Sequence, residues 1–504
     1  MRSGHPTRAL LALSVSGLLL GAAGCTAHDD DPTVAQLTRS SADSVAVAAQ
    51  QDPSARSVAA SRALFASAPG AVVAPASDGD ALRDAASAAR AAHVPLLLTD
   101  DDGASSSSPT AGTSRSGDRV AAELRRLGAD WYQAEGDVSV DTDVREKDAP
   151  DRADAPEATG ASRPATVVVA DRRADAAAVA TAEGAGAHVI AMPDGVTDPA
   201  AAPDVVSALH DRAEHPTVLV GSAFSELPDP DWTVRAAESG WQLPHGGQRP
   251  FDGHRYVALY GAPGAPVLGV LGEQDPAATV RRAEGTAKGY DGLGDEPVTP
   301  AMEVIATVAA GDAGADGDYS TELPVSALEP YVDAASDAGM PVILDLQPGR
   351  SDFLSQAKRY ESLLAKPNVW LALDPEWRLT ADRVPLRQIG SVSASEVNEV
   401  SSWLADLVRS KGLPPKAFVL HQFRLSMIQD RSSLASHPEL DVLIHVDGQG
   451  AQPDKQATWK ALHQGAPEDV HWGWKNFYDE DTPMLSPEQT MADVQPTPSL
   501  ITYQ

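Results

Sequence analysis

Ionisable and aromatic side chains follow apolar runs at five places in the second half of the chain. Each run is short and rich in branched residues, as in the strands of a buried parallel sheet. Residues two apart share a face of a strand, so paired candidates such as Asp345 and Gln347 would point the same way. The full set of candidates is Asp345 with Gln347, Asp374 with Glu376, His421 with Gln422, His445 with Asp447, and Trp472, Trp474 and Lys475.

These residue types suit glycoside hydrolysis. That reaction needs one carboxyl group to protonate the leaving oxygen and a second to act as nucleophile or base, with aromatic surfaces that hold sugar rings. We expect Glu376 to donate the proton and Asp374 or Asp447 to be its partner, because two neighbouring acids raise the pKa of one of them. Residues 373–377 also loosely resemble the strand-end acid motifs of barrel glycoside hydrolases. The remaining candidates would orient the acids or bind substrate: Asp345, Gln347, His421, Gln422, His445, Trp472, Trp474 and Lys475.

A metal-dependent hydrolase is the second catalytic option. Its ligands would come from Asp345, Asp374, His421, His445 and Asp447. Against this option, the first strand lacks a His-x-His pair and the chain has no His-Glu-x-x-His helix. A Gly-x-Ser-x-Gly nucleophile elbow is absent too. We therefore expect an enzyme without a metal or another cofactor.

The elements that carry these residues alternate between strands and helices. Strand-like runs cover residues 256–260, 302–308, 341–345, 369–374, 417–421, 442–447, 470–474 and 499–503. Amphipathic helices are predicted between them, for example over 352–364 and 394–410. Eight such strands predict an α/β fold, a (β/α)8 barrel like that of triosephosphate isomerase, whose active sites lie at the carboxyl ends of the strands. A doubly wound open sheet is the alternative. No helix follows the eighth run, and residues 229–240 are predicted to cover that gap.

The first half of the chain carries a second α/β pattern. An Ala-rich helix opens at Asp80, residues 94–100 (Val-Pro-Leu-Leu-Leu-Thr-Asp) form a strand, and residues 127–129 (Leu-Gly-Ala) precede another. A second, more degenerate copy runs from Thr166 to Gly221. This region resembles the cell-wall-binding repeat type 2 family, and the resemblance implies noncovalent attachment to wall polymers. The alternative is a plain α/β scaffold that spaces the barrel from the membrane.

Cys25 is the only cysteine of the 504 residues. It follows a basic head with Arg2 and Arg8 and a short apolar run that ends in Ala-Ala-Gly. This pattern resembles a bacterial lipoprotein signal, which implies cleavage before Cys25, acylation of its thiol and attachment to the outer face of a membrane. The alternative is an ordinary secretory signal with an incidental cysteine.

These patterns give the following predicted organisation: a signal peptide over 1–24, a tether over 25–52, the repeat-like region over 53–225, a linker over 226–250 and the barrel over 251–504. Insertions are expected near 101–117 and 136–164. The formal charge of -32 argues against nucleic acid as a partner. The expected partners are a lipid bilayer and a cell-wall glycan. A non-catalytic wall-binding or structural envelope lipoprotein is the alternative function.

Overall fold

The computed structural model describes residues 33–34, 45–100, 116–148 and 165–504. Cys25 and the predicted signal peptide lie outside the described residues, as do most of the tether and large parts of the two predicted insertions. None of the described helices combines the length and the hydropathy that a bilayer-spanning segment requires.

The second half of the chain forms a closed parallel barrel. Each strand pairs in parallel with the next one along the chain, and β8 pairs with β1. The predicted barrel is therefore confirmed, and the alternative of an open sheet is wrong. The strands are β1 (Arg255–Gly261), β2 (Val298–Ala309), β3 (Val342–Leu346), β4 (Val369–Leu373), β5 (Lys416–His421), β6 (Leu440–Val446), β7 (His471–Asn476) and β8 (Leu500–Tyr503).

Helices cover the outer face of the barrel between most strands. Their bounds are Pro276–Ala287, Val325–Asp337, Phe353–Arg359 with Glu361–Leu364, Ala394–Lys411, Gln452–His463 and Pro487–Asp493. The segment between β5 and β6 has no α-helix; it contains short 3₁₀ turns at Leu425–Met427 and Arg431–Ser433 and a two-residue strand, Ile428–Gln429, that pairs in parallel with Val392–Ser393. A short strand, Ser320–Glu322, pairs antiparallel with the end of β2. The helix predicted over 352–364 is broken at Tyr360, whose hydroxyl donates to the carbonyl oxygens of Ala306 (2.7 Å) and Leu323 (3.0 Å).

Successive side chains along each strand point alternately out of the barrel and into it, so they form two separate cores. One set of side chains packs outward against the helices, for example Val257, Leu344 and Leu371. The other set fills the lower half of the barrel interior: Tyr256, Ala258, Ala301, Ile343, Trp370, Ala372, Ala417, Val419, Leu443 and Leu500. The inward positions nearer the carboxyl ends of the strands carry polar groups instead, which places a polar layer above an apolar one.

The chain before β1 closes the lower end of the barrel. Leu243 and Phe251 pack into the same interior core as Tyr256 and Trp370, and the Phe251 and Tyr256 rings meet edge to face with centroids 5.9 Å apart. The predicted linker also contains a helix, Pro230–Glu238. Burial of apolar surface therefore holds this segment against the barrel.

The helix Pro230–Glu238 packs on both halves of the molecule. Trp232 belongs to the core outside the barrel strands, whereas Val234 belongs to a core of the first half. Arg249 adds a polar connection, because its guanidinium lies 2.7 Å from Asp198 and 3.2 Å from Asp441.

The first half of the chain contains two parallel four-stranded sheets. One has the order Ala46–Ala48, Thr217–Val220, Thr166–Val169, His188–Ala191. The other has the order Leu96–Thr99, Gly70–Pro75, Trp131–Ala134, Arg145–Glu146. The helices of this half are Pro53–Leu64, Gly79–Ala92, Ser116–Leu127, Ala176–Gly184 and Pro203–His210. A two-residue strand, Thr33–Val34, pairs antiparallel with Phe65–Ser67.

The helix Ala176–Gly184 packs against both sheets. Its Ala178 and Val179 belong to a core of the first sheet, whereas Ala177 and Ala180 pack with the helix Gly79–Ala92 in a core of the second. Gly184 allows this close approach, since a Cβ atom there would lie 3.1 Å from the carbonyl oxygen of Val94. The two α/β patterns read from the sequence therefore form one packed body.

Candidate functional site

The site lies inside the barrel, above the apolar layer. Glu303, Asp345, His421 and His445 point inward from β2, β3, β5 and β6, and none of the four has exposed surface. Tyr260, Asp374, Lys475 and Thr502 complete this layer. Inward-facing strand positions near the carboxyl ends place groups from distant parts of the chain side by side.

His421 is the centre of the hydrogen-bond network. Its Nε2 lies 2.7 Å from Glu303 Oε1, its Nδ1 lies 2.9 Å from Asp447 Oδ2, and Asp345 Oδ1 is 3.9 Å from Nε2. Burial lowers the pKa of His421, but the charges of Glu303 and Asp345 outweigh it and raise the pKa well above its usual value. The ring is an imidazolium that donates one proton to each of two carboxylates. Burial raises the pKa of those two carboxylates, but the hydrogen bonds and charge of His421 outweigh it and hold the pKa of Glu303 and of Asp447 below the usual range.

His445 is a neutral histidine beside this network. Its ring meets the His421 ring edge to face, with centroids 4.7 Å apart. Nε2 lies 3.1 Å from Thr502 Oγ1, whereas Nδ1 lies 3.9 Å from Glu303 Oε2, which is too far for a hydrogen bond. Burial lowers the pKa of His445 to about 3, so the ring carries no charge at neutral pH.

Tyr260 and Asp345 form a second branch. The Tyr260 hydroxyl donates to Asp345 Oδ2 at 2.8 Å, and Gln347 Nε2 donates to the same hydroxyl at 3.3 Å. Lys475 Nζ lies 3.3 Å from the centroid of the Tyr260 ring, in cation–π geometry. Burial, with a further contribution from Glu303, raises the pKa of Asp345 to about 6.

Asp374 and Glu376 stand at the end of β4. Asp374 Oδ1 accepts a hydrogen bond of 3.1 Å from the Glu376 backbone N–H and so starts the 3₁₀ turn Pro375–Trp377. Burial raises the pKa of Asp374 well above its usual value, and Asp345 adds to the effect. Glu376 is half-buried, and burial together with the charge of Asp447 raises its pKa to about 7. Of the two acids, Glu376 therefore holds its proton more strongly, whereas the pKa of Asp447 is lowered.

The structure places Trp472 and Trp474 outside this group of residues, whereas the sequence predicted that they bind substrate at the mouth. Gly473 and Lys475 occupy the inward positions of β7, so the two tryptophans point outward against the helix Gln452–His463. Trp474 is fully buried there, with its ring centroid 5.6 Å from that of Trp459. Trp472 stacks on His463 at 3.6 Å.

Gln422 does not point into the site either. It follows the inward-facing His421, so it falls on the outer face of β5. Its Oε1 accepts from Arg431 at 2.8 Å and its Nε2 donates to the Arg424 carbonyl at 3.1 Å. Of the predicted residues, the structure brings together Asp345, Gln347, Asp374, Glu376, His421, His445, Asp447 and Lys475.

Glu303, Tyr260 and Thr502 were not predicted from the sequence. A signal was present, because each residue continues the inward alternation of its strand: Tyr260 follows Tyr256 and Ala258, and Glu303 follows Ala301. The predicted candidates stand near the ends of apolar runs, whereas Glu303 lies in the middle of the twelve-residue strand β2.

Donor atoms for a metal ion lie close together at three places in the described part of the chain. Two groups share His421, namely Glu303 with His421 and His445, and Asp374 with His421 and Asp447. The third group is Asp316, Asp318 and Glu322, near the surface. In each group the ligand atoms lie within 4.8 Å of one another.

An open cleft of about 710 Å³ lies on the same side of the barrel as the site. The loop after β2 contributes Gly311 and Tyr319, and the loop after β4 contributes residues 382–388. The Arg350 guanidinium lies 4.3 Å from the centroid of the Tyr319 ring. The lining of this cleft combines Tyr319, the charged Asp382 and Arg387, and the apolar residues Val384, Pro385 and Leu386.

Comparisons with known proteins assign no family to the chain. No protein-family model matches it, and no curated protein shows significant similarity. Among solved structures, one similar chain is described as "Cwp6 from Clostridium difficile", with 11% sequence identity and a TM-score of 0.15. The match covers 88% of this chain and 66% of that one, just under two thirds of its length.

Proposed function

We propose that the barrel mouth hydrolyses a glycosidic bond of a cell-envelope glycan, with Glu376 as the proton donor and Asp447 as the partner carboxylate. The observation that supports this most strongly is the contrast between the two acids. Glu376 has a pKa raised to about 7, whereas Asp447 is fixed by a hydrogen bond of 2.9 Å from His421. An acid that keeps its proton beside one that has lost it is the pair that glycoside hydrolysis requires.

The surroundings assign a different task to each acid. Glu376 is half-buried, so its proton can reach a ligand in the mouth. Asp447 Oδ2 accepts a hydrogen bond from His421, whereas Oδ1 is a buried oxygen without a hydrogen-bond partner among the described residues. Attack on carbon, or removal of a proton from water, requires the substrate or the water to reach this buried oxygen. His421 in turn is held by Glu303, so the orientation of Asp447 depends on a buried chain of hydrogen bonds.

The envelope as the location rests on the sequence. The signal before Cys25 supports an acylated protein on the outer face of the cell membrane, and the repeat-like region supports contact with wall polymer. Two acyl chains hold a protein stably on a bilayer. Replacement of Cys25 by serine should abolish incorporation of labelled palmitate and move the protein from the membrane fraction to the medium. Unchanged labelling of that variant would contradict the lipid anchor.

The test of hydrolysis compares Glu376→Gln with wild type on purified wall polysaccharide, with release of reducing ends as the readout. We expect turnover to fall at least about 100-fold, the usual contribution of a general acid. Glu399→Gln is the matched control, because Glu399 is exposed on the outer helix Ala394–Lys411 and should leave turnover unchanged. Equal turnover in wild type and Glu376→Gln would refute the assignment of the proton donor.

The same material separates hydrolysis from simple binding. If wild type binds the polysaccharide without releasing reducing ends, and Glu376→Gln binds it equally well, the protein is a non-catalytic wall-binding lipoprotein.

A further inference from the structure

We propose that Glu303, His421 and His445 bind one divalent metal ion deep in the barrel. The ligand atoms would be a carboxylate oxygen of Glu303, Nε2 of His421 and Nδ1 of His445, which lie within 4.8 Å of one another. All three side chains are fully buried. This inference goes beyond the proposed hydrolysis and revises the expectation, drawn from the sequence, of a site without metal.

The first argument is that the other nitrogen of each histidine is already held. His421 Nδ1 lies 2.9 Å from Asp447 Oδ2, and His445 Nε2 lies 3.1 Å from Thr502 Oγ1. Metal-binding histidines almost always donate their second N–H to a carboxylate or another oxygen, which fixes the ring and directs the free lone pair to the metal. His445 shows this arrangement fully, because its Nδ1 has no partner among the described residues, whereas His421 Nε2 is hydrogen-bonded to Glu303, the third proposed ligand.

The second argument is a pair of buried atoms without partners. Glu303 Oε2 and His445 Nδ1 face each other at 3.9 Å, and neither has a hydrogen-bond partner among the described residues. Burying such groups unsatisfied costs free energy. Two ligands of one tetrahedral Zn²⁺, each about 2.1 Å from it, lie roughly 3.4 Å apart. The two atoms need to approach by only about half an ångström.

The third argument is the balance of charge. Five carboxyl groups surround the site, from Glu303, Asp345, Asp374, Glu376 and Asp447, whereas the side-chain ammonium beside them is that of Lys475. A divalent ion bound between Glu303, His421 and His445 would add positive charge among these acids. The hydrogen bond from His421 to Asp447 would remain, so metal binding is compatible with the role proposed for Asp447.

The ligand set indicates the class of metal. Two imidazoles and one carboxylate are the three protein ligands of many zinc enzymes, and they leave a fourth position open. Magnesium and calcium prefer oxygen ligands only. We therefore expect Zn²⁺ or another first-row divalent transition metal.

The test measures metal in the full chain without any substrate. The protein is stripped with a chelator, loaded with Zn²⁺, passed through a desalting column and analysed by mass spectrometry of the elements. We expect one equivalent of Zn²⁺ in wild type and none in His445→Gln. Thr502→Val removes only the partner of His445 and should weaken Zn²⁺ binding roughly 10- to 100-fold in competition with a chromophoric chelator.

Two controls make the result specific. Asp318→Asn changes the acidic group near the surface and should retain the full equivalent, and Glu376→Gln should retain it while losing turnover. Circular dichroism of the stripped variants establishes that they are folded. Less than about a tenth of an equivalent in wild type, or wild-type binding by folded His445→Gln, would overturn the inference. Neither result depends on whether the protein hydrolyses a glycan.

Discussion

Replacing Glu376 by glutamine should stabilise the protein in alkaline solution and leave its stability unchanged in acid. Glutamine has the shape of the protonated acid and cannot ionise. The wild-type side chain must ionise above its pKa, in a half-buried position beside the charge of Asp447. The variant avoids this cost, so the gain should appear only where wild-type Glu376 would be charged.

The sign and the size of this change in the free energy of unfolding follow from the pKa of Glu376. Folding raises it from 4.5 to about 7, so the folded chain binds more protons than the unfolded chain between these values. Wild-type stability therefore falls from about pH 4.5 to about pH 7 on account of this group. At 1.36 kcal/mol per pKa unit the full effect is about 3 kcal/mol, and screening by water at a half-buried position reduces it to about 1–3 kcal/mol.

Urea denaturation at pH 5 and at pH 8 measures this difference. We expect Glu376→Gln to exceed wild type by less than about 1 kcal/mol at pH 5, where the unfolded side chain has only begun to ionise, and by about 1–3 kcal/mol at pH 8. Glu399→Gln, on an exposed helix face, should show no such dependence on pH. Destabilisation at pH 8, or the same difference at both pH values, would refute the environment assigned to Glu376.

Three further predictions concern the site and its support. The turnover of wild type should fall about tenfold per pH unit above about pH 7, because Glu376 then loses the proton it must donate; a rate that keeps rising to pH 9 would contradict this. Arg249→Met should cost about 3–5 kcal/mol in urea denaturation, since it leaves the buried Asp441 without its cation, and a loss below about 1 kcal/mol would contradict that role. Gly473→Ala should lower turnover and cost about 1–3 kcal/mol, because its new Cβ would lie 2.6 Å from His445 Cδ2; wild-type turnover would show that the ring moves without consequence.

The barrel was predictable because its strands are short apolar runs separated by amphipathic helices. The run predicted over residues 417–421, for example, is observed as Lys416–His421. Details that depend on tertiary contacts were not predictable. The break at Tyr360 arises because its hydroxyl reaches Ala306 and Leu323, which lie far away in sequence. The helix Pro230–Glu238 was suggested only as cover for the barrel, and its contacts with the first half could not be read from its sequence.

The site residues were predictable in strands where the alternation of side chains shows clearly which face points into the barrel. In β6, apolar Leu443 precedes His445 and Asp447 on one face, so the inward side was clear. In β7, both faces carry polar or aromatic groups, and only pairing with β6, which sets His445 beside Gly473, shows that Lys475 points inward and Trp474 outward. Glu303 was not predicted because its position along the barrel axis depends on how β2 pairs with its neighbours and not on how far the residue lies from the end of its own strand.

The apolar floor formed by Leu243 and Phe251 fills the lower end of the barrel interior. A polymer cannot thread through it, so only a chain terminus, a branch or a pendant group can descend while the rest lies across the rim. Glu303, Asp345 and His421 have no exposed surface and stay beyond the reach of such a group. For the proposed hydrolysis, this places the bond to be cleaved at the depth of Glu376 and leaves to the deeper layer the task of setting the charge and direction of the groups above it.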